Sequence, residues 1–202
     1  MLTKRMCALA TGSLVVSLLA GCRVDTKKDG EHKDVRIATP FGGLQVTTNP
    51  ELVLREIGLA AYPGAVQDQK GKDQNSAADV NMNVGSFNLR VKAVSYRTDD
   101  SPDKVKEYYR DQLKRYGDVI ECRNNVAVGT PTHTFEGLTC DTKEGGHITV
   151  QDHPGKHELE LKSGSPQHQR IVSIDADGDG TKFGLVVLDL PKKMVEGDDA
   201  RQ

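Results

Sequence analysis

The segment that decides the fold runs from residue 80 to residue 96 and reads VNMNVGSFNLRVKAVSY. Apolar residues occupy every second position in two runs: Val80, Met82 and Val84, then Phe87, Leu89, Val91 and Ala93. This alternation is typical of β-strands with one buried face, because successive side chains point to opposite sides of a sheet. Gly85 and Ser86, between the runs, indicate either a bend within one ribbon or a tight turn between two strands. The segment therefore predicts a sheet around which the chain is organised.

A helix is predicted directly after this ribbon. Ser101 is a suitable N-cap and Pro102 suits the first helical position, while Gly117 ends the pattern. Apolar side chains recur on one helical face: Val105, Tyr108, Tyr109, Leu113 and Tyr116. Charged side chains fill the opposite face, so residues 102–116 are expected to form an amphipathic helix that packs on the sheet. Tyr mixed with Lys and Arg would also suit a nucleic-acid platform, but this spacing favours a core stripe.

The rest of the chain is dominated by short alternating runs that predict further strands. They cover residues 35–39, 44–48, 119–123, 133–140, 147–151, 158–162, 169–175 and 183–189. Their connections, including a turn at 153–156, are too short for the crossovers that parallel strands need. Residues 51–58 suit either a short helix or a turn. The sequence thus predicts one α+β domain over residues 35–190, an antiparallel sheet of about seven or more strands with one main amphipathic helix.

The N-terminus has a different composition. Lys4 and Arg5 precede a stretch without charge over residues 6–20. This is the layout of a signal peptide, and the apolar stretch is shorter than the roughly 20 residues of a permanent membrane helix. At its end stands Leu19-Ala20-Gly21-Cys22, which resembles the lipobox of bacterial lipoproteins. An ordinary secretory signal followed by an unrelated cysteine is the alternative.

The lipobox resemblance implies an address and an anchor. In that family the signal is cleaved just before the cysteine, whose thiol carries a diacylglycerol and whose new amine usually receives an acyl chain such as palmitate. Carried over, residues 1–21 are the signal peptide and Cys22 is the lipid-bearing N-terminus, which two or three acyl chains attach firmly to a membrane. Arg23 follows the cysteine, where Asp retains some lipoproteins in the inner membrane. An outer-membrane location facing the periplasm is therefore favoured over the inner membrane.

The residues around the predicted domain are expected to be solvated. Residues 22–34 comprise the lipidated cysteine and a stretch with eight charged residues, which is predicted to be a flexible tether because it cannot bury surface. A disordered tail is predicted at 191–202. Processing would remove two of the 27 basic residues and none of the 29 acidic ones. The mature chain is thus mildly acidic, unlike a nucleic-acid binder.

Cysteine usage agrees with export. Of the four cysteines, Cys7 lies in the predicted signal peptide and Cys22 is the predicted anchor. The remaining two, Cys122 and Cys140, are predicted to form a disulfide in an oxidising envelope. A metal or redox pair is the alternative. Such a pair requires CxxC spacing or nearby histidines at ligand spacing, and the sequence has neither.

A wider resemblance rests on three segments. They are Tyr62-Pro63-Gly64-Ala65, YRTDDSP at residues 96–102 and YRDQL at residues 109–113. Together they resemble a group of uncharacterised secreted bacterial proteins that share a YPGA turn, a strand and a helix of the FYR type. The resemblance covers residues 35–190 and implies a fold, but no activity.

Two patterns are candidates for ion binding. Asp175, Asp177 and Asp179 begin an EF-hand-like loop, but position 12, which should be a bidentate Glu, is Val186. The flanks also suggest strands, so a solvated hairpin turn is favoured over weak Ca²⁺ binding. The other pattern comprises His147, His153 and His157. A zinc site wants three or four fixed ligands with outer-shell support, so exposed histidines are favoured.

No local motif predicts an enzyme or a cofactor. The chain contains no G-x-S-x-G elbow, phosphate-binding loop or dinucleotide fingerprint, although distant residues can converge into a site. We therefore expect a lipid-anchored envelope protein that acts as a non-enzymatic interaction or structural module, with the membrane and an envelope protein as partners. A small-ligand or ion-binding lipoprotein is the alternative, and an envelope enzyme is the third hypothesis. The first predicts an exposed apolar patch, the second a concave pocket, and the third displaced pKa values in it.

Overall fold

A large antiparallel sheet with two short helices makes up the described part of the chain. The computed structural model describes residues 22–29, 32–69, 76–140 and 159–191. The strands are β1 (Arg23–Asp29), β2 (His32–Thr39), β3 (Gly42–Thr47), β4 (Val66–Gln67), β5 (Ala77–Val84), β6 (Phe87–Thr98), β7 (Val119–Arg123), β8 (Val126–Ala127), β9 (Leu159–Gly164), β10 (His168–Asp177) and β11 (Gly180–Asp189). The helices are α1 (Pro50–Ile57) and α2 (Pro102–Leu113), and a 3₁₀ turn, Lys114–Tyr116, follows α2.

The strands lie in the order β1-β2-β3-β5-β6-β11-β10-β9-β7-β8, and β4 pairs with the end of β6. Every pairing between described strands is antiparallel. The predicted sheet-dominated, antiparallel fold is therefore confirmed. The prediction of one main helix over residues 102–116 is not confirmed, since the described residues form two short helices.

Residues 80–96 lie in the β5–β6 hairpin. Val84 pairs with Phe87, so Gly85 and Ser86 are a two-residue turn between two strands. The φ angle of Gly85 is 57°, a left-handed conformation that glycine adopts without steric cost and that tight hairpin turns require. The segment is therefore two strands joined by a turn, and not one bent ribbon.

The β2–β3 hairpin lies beside it and contains the strands that were predicted at residues 35–39 and 44–48. Thr39 pairs with Gly42 across a two-residue turn. A Cβ atom at Gly42 would clash with the carbonyl oxygen of Asn83 in β5, so this position needs glycine. The amide of Gly85 donates to the carbonyl oxygen of Phe41 at 3.2 Å. The two hairpin turns are thus tied to each other.

The prediction that residues 22–34 form a flexible tether is wrong for the backbone of residues 23–29, which is a paired strand. Arg23–Asp29 form β1, which pairs with β2 from Ala38 back to His32. The side chains of residues 22–28 are exposed, as their composition predicts. Backbone pairing is nevertheless available, because β2 is held by β3 on one side and presents unpaired backbone groups on the other.

The prediction of a strand at residues 133–140 is also wrong, because this segment is a folded loop. The amide of Thr134 donates to the carbonyl of Leu138, and the amide of Gly137 donates to that of Thr134, both at 2.9 Å. Gly137 has a φ of 86°, which residues other than glycine rarely adopt. This turn interrupts the alternation that suggested a strand.

Helix α1 decides the alternative left open at residues 51–58. Asn49 is the N-cap, and its side-chain oxygen accepts from the amides of Glu51 and Leu52 at 3.0 and 3.2 Å. Gly58, with a φ of 75°, ends the helix. Both terminal features are typical of helices and satisfy backbone groups that the helix leaves unpaired.

One main hydrophobic cluster joins both helices to the sheet. The helices contribute side chains that are at most 1% exposed: Val53 and Ile57 from α1, and Val105, Tyr109 and Leu113 from α2. The sheet contributes Ala77, Val94, Tyr96, Leu159, Leu161, Val172, Ile174, Phe183, Leu185 and Val187. Burial raises the pKa of the Tyr109 hydroxyl, which donates to the carbonyl of Ala60 at 3.2 Å.

Cys122 and Cys140 form a disulfide, as predicted, with their Cα atoms 5.5 Å apart. Ile120 and Leu138 pack with the two cysteines in a second cluster that is separate from the main one. The disulfide therefore holds the loop after β8 against β7.

Several predicted segments lie outside the described residues. They are the signal peptide at 1–21, the strand at 147–151, the turn at 153–156 and the tail at 191–202 beyond Pro191.

Candidate functional site: the open face and tip of the sheet

The two faces of the sheet differ in what covers them. Residues that pair directly in antiparallel strands lie on the same face, so the pairings assign each side chain to a face. Val94, Tyr96 and Phe183 lie on the face that packs against α1 and α2. We call the opposite face the open face. None of its described side chains belongs to the main hydrophobic cluster.

Apolar side chains form three rows of paired residues across the open face. The rows are Val35-Val46-Val80-Val91-Leu188, Ile37-Leu44-Met82-Leu89, and Ala78-Ala93-Val186-Ile171. Each of these side chains is partly exposed. Val24 in β1 extends the second row, because it pairs with Ile37, and it is 60% exposed. A contiguous, partly exposed apolar surface of this kind is typical of an interaction site.

The alternation that predicted β6 changes phase within the strand. Leu89, Val91 and Ala93 lie on the open face, whereas Val94 and Tyr96 lie on the face covered by the helices. The sequence signal was therefore two patterns in succession. The first describes the open face, and the second describes the core.

The open face becomes charged at the end far from the hairpin turns. The side chain of Asp68 is 2% exposed and lies between two cations, the Nε atom of Arg97 and the Nζ atom of Lys182, each 3.0 Å from one of its oxygens. Arg97 and Lys182 also pair across β6 and β11. Polarity thus increases along the strands, away from the turns at residues 40–41 and 85–86.

The β5–β6 hairpin, with the β2–β3 hairpin beside it, extends beyond β11. Strand β11 ends at Asp189, which pairs with Arg90, whereas β6 continues to Phe87. At about 3.3 Å per residue, this difference makes a projection of about 10 Å. We call residues 39–42 and 84–87, at the end of this projection, the sheet tip.

Exposed apolar side chains and Cys22 meet at the sheet tip. Phe41 is 80% exposed and Val84 is 51% exposed. Strand β1 begins at Arg23, which pairs with Ala38, so the chain leaves the sheet beside the tip. Cys22 comes directly before β1, is exposed and forms no disulfide. The predicted anchor position therefore lies at the same end of the sheet as the exposed apolar side chains.

The YPGA motif lies at an open cleft against α2. The Tyr62 hydroxyl donates to one oxygen of Asp100 at 2.9 Å, and the Lys104 ammonium donates to the other at 2.6 Å. The hydrogen bond from Lys104, followed by that from Tyr62, holds the pKa of Asp100 below its usual value. The Tyr108 hydroxyl donates to the carbonyl of Ala61 at 3.1 Å. These groups bond to one another, so they hold this loop on α2.

A charged cluster is buried beneath α1. Lys92 in β6 is 6% exposed and lies 2.9 Å from Asp79 in β5, whose side chain is 11% exposed. Its second partner is Glu56 of α1, which is more than half exposed. Burial lowers the pKa of Lys92 and raises the pKa of Asp79. The cluster joins α1 to two central strands, and Lys92 bonds to a carboxylate from each side.

The acidic run forms the β10–β11 hairpin. Asp177 pairs with Gly180, so Gly178 and Asp179 are the turn, while Asp175 lies in β10. The predicted hairpin turn is thus confirmed. Among the described residues, no three His, Cys, Asp or Glu side chains are grouped so that they could hold a metal ion. Weak calcium binding by this run, the alternative that the sequence favoured less, stays untested.

The remaining predicted site residues are not brought together. His147, His153 and His157 lie outside the described residues. The lipidation of Cys22 stays a prediction. Sequence reasoning did not identify the open face as a candidate site. The alternation of apolar residues in β2, β3, β5 and β6 was the pattern that pointed to it.

The chain matches no known family model, no curated protein and no solved structure. Neither helix in the described ranges is long and apolar enough to cross a membrane.

Proposed function

We propose that the protein is a lipid-anchored envelope protein that acts as a non-enzymatic interaction module, with the open face as its binding surface. The contiguous apolar rows of the open face carry this proposal. In it, residues 1–21 are a signal peptide and Cys22 carries the lipid. The lipid attaches the protein to the outer membrane, and the domain faces the periplasm.

The packing of the helices supports an interaction role. Both helices contribute to the cluster on the other face, so within the described ranges no helix covers the open face, and the sheet is braced from behind. In this proposal α2 is the main amphipathic brace, and its Val105, Tyr109 and Leu113 side chains are fully buried. A rigid sheet presents its apolar rows in a fixed arrangement, which lowers the conformational cost of binding.

A small-ligand function is the second candidate, and the cleft at Tyr62 and Asp100 favours it. It has less support than the interaction role, because the polar groups of the cleft already bond to one another. The buried cluster at Lys92 gives an enzymatic role equally little support, since each charge there has a partner.

The first test of the proposal is the Cys22→Ala variant. The wild-type chain is expected to gain the mass of a diacylglycerol and an acyl chain, and to lose residues 1–21. Cys22→Ala is expected to show neither change, because the acceptor thiol is missing. Intact-mass spectrometry of membrane fractions measures both. The matched control is Cys7→Ala, which should be processed and acylated like wild type. Normal processing and membrane attachment of Cys22→Ala would show that the proposed anchor is wrong.

The second test compares the two faces by photo-crosslinking in cells. A photoreactive side chain at Val80 lies on the open face, and one at the neighbouring Asn81 lies on the other side of the same strand. Val80 is expected to capture one reproducible envelope protein, and Asn81 to capture much less of it, because only the open face is proposed to bind. Mass spectrometry identifies the product. Equal capture from both positions, or none from Val80, would contradict the interaction proposal.

A further inference from the structure

The sheet tip and the ends of β2, β3, β5 and β6 behind it carry no charge, while the neighbouring β1 brings Arg23, which pairs with Ala38 and bonds to Asp25, beside them. Residues 37–50 and 80–89 contain no Asp, Glu, Lys or Arg, although charged residues make up 28% of the chain. Phe41 and Val84 are the large exposed apolar side chains of these segments. A charged side chain is costly to move out of water, whereas an apolar one gains from the transfer. The tip is therefore suited to an apolar environment.

Two arginines flank this uncharged region at one level of the sheet. Arg36, Gln45, Asn81 and Arg90 pair with one another in a single row. Both arginines are exposed, and the Nε atom of Arg90 donates to the side-chain oxygen of Asn81 at 2.9 Å. The row lies three residues, or about 10 Å, behind the last pairs of the tip.

The acidic side chains at this level are paired with basic groups. Asp25 lies 2.8 Å from Arg23. Asp189 lies 3.6 Å from Arg90 and 3.0 Å from the Nδ1 atom of His168. The level is therefore not dominated by negative charge. The two exposed arginines, Arg36 and Arg90, can therefore contact anionic lipid headgroups, which attract basic side chains near a membrane surface.

We infer that the sheet tip enters the surface of a phospholipid bilayer, with Arg36 and Arg90 at the level of the phosphates. Apolar elements that lie in a membrane interface are buried by about 5–10 Å, which matches the distance from the tip to the arginine row. The inference rests on the proposed function, because the lipid on Cys22 would place the tip at the membrane. It adds that the domain has a fixed orientation, with the charged end around Asp68 directed away from the bilayer.

The absence of tryptophan from the chain makes the depth of the tip measurable. Phe41→Trp places a single fluorophore at the tip, and Val66→Trp places one at an exposed position that pairs with Arg97, at the other end of the sheet. Each full-length variant, processed in a bacterial host, is reconstituted into vesicles of phosphatidylethanolamine and phosphatidylglycerol. Lipids brominated in their acyl chains then quench any tryptophan at the membrane interface. Emission from position 41 is expected to shift to the blue and to lose intensity, while that from position 66 stays unchanged.

The controls separate this inference from the proposed anchor. Ser86→Trp, in the neighbouring turn, is a second tip probe in case Phe41→Trp unfolds, and is expected to be quenched as well. If intact mass shows acylated Cys22 but neither tip probe is quenched, the tip inference is wrong while the anchor stands. If Cys22 carries no lipid but the tip probes are quenched, the anchor is wrong and the tip inference stands. A blue shift that depends on protein density and not on brominated lipid would mean that another protein surface covers the tip, and it would overturn the inference.

Discussion

Lys92→Met is expected to lower the free energy of unfolding by about 3 kcal/mol, because it removes one partner from a buried ion pair. Asp79 would keep its charge in a position where its side chain is 11% exposed. Glu56 loses the same partner but is more than half exposed, so water can solvate it. Urea unfolding followed by circular dichroism measures the change.

Two comparisons identify the uncompensated charge as the cause. The double variant Lys92→Met/Asp79→Asn is expected to recover most of the loss, since replacing both partners costs far less than removing one. Lys104→Met removes an exposed pair with Asp100, and should lower the stability far less than Lys92→Met does, because water solvates the remaining charge. An ordinary surface substitution changes the free energy of unfolding by about 0.5 kcal/mol. If Lys92→Met had no larger effect, the buried pair of Lys92 and Asp79 would not stabilise the fold as expected.

The loss in free energy of unfolding that Lys92→Met causes relative to wild type is also expected to become smaller as the pH falls. Burial already raises the pKa of Asp79 in the folded protein, and loss of the neighbouring cation raises it further. The folded carboxyl therefore takes up a proton at a higher pH than the same carboxyl in the unfolded chain, where the pKa of Asp is about 3.9. At pH values between the unfolded and the folded pKa, protonation of Asp79 stabilises the folded state relative to the unfolded one. Unfolding of the variant and wild type at a series of acidic pH values shows whether their difference narrows.

Loss of the disulfide is expected to have an effect of similar size. The bond closes a chain separation of 18 residues, for which loop closure predicts a contribution of about 3 kcal/mol. Cys122→Ala/Cys140→Ala should lose that amount in urea unfolding. Its loop should also become sensitive to protease, because Leu138 packs with the cysteines in a cluster separate from the main core.

Reduction provides an independent check on the disulfide. Wild-type protein treated with a reductant should match the double variant, whereas Cys22→Ala in the oxidised protein should retain wild-type stability, since Cys22 is exposed and forms no disulfide. An unchanged unfolding midpoint in the double variant would show that the main cluster alone determines stability.

Short-range patterns predicted much of the fold. Alternation gave β3, β5, β6 and β11, and the turn at Gly85 and Ser86 was one of two alternatives. The Cys122–Cys140 pair followed from cysteine usage. Two predictions were wrong because composition does not report backbone pairing or local turns. The charged stretch after Cys22 is strand β1, and residues 133–140 fold into a loop at Gly137.

By itself, the sequence predicted most of the strands, their alternating chemistry, a helix that begins after Ser101 and the candidate anchor at Cys22. These features depend on neighbouring residues, which set the backbone conformation and the side of a strand on which each side chain lies. Tertiary structure alone decided that α1 and α2 cover the face of Val94 and Tyr96, and leave that of Val80 and Val91 open. Either face of β6 offers apolar side chains, so only long-range packing could select between them. The same packing brought Phe41, Val84 and Cys22 to one end of the sheet, where distant segments of the chain meet.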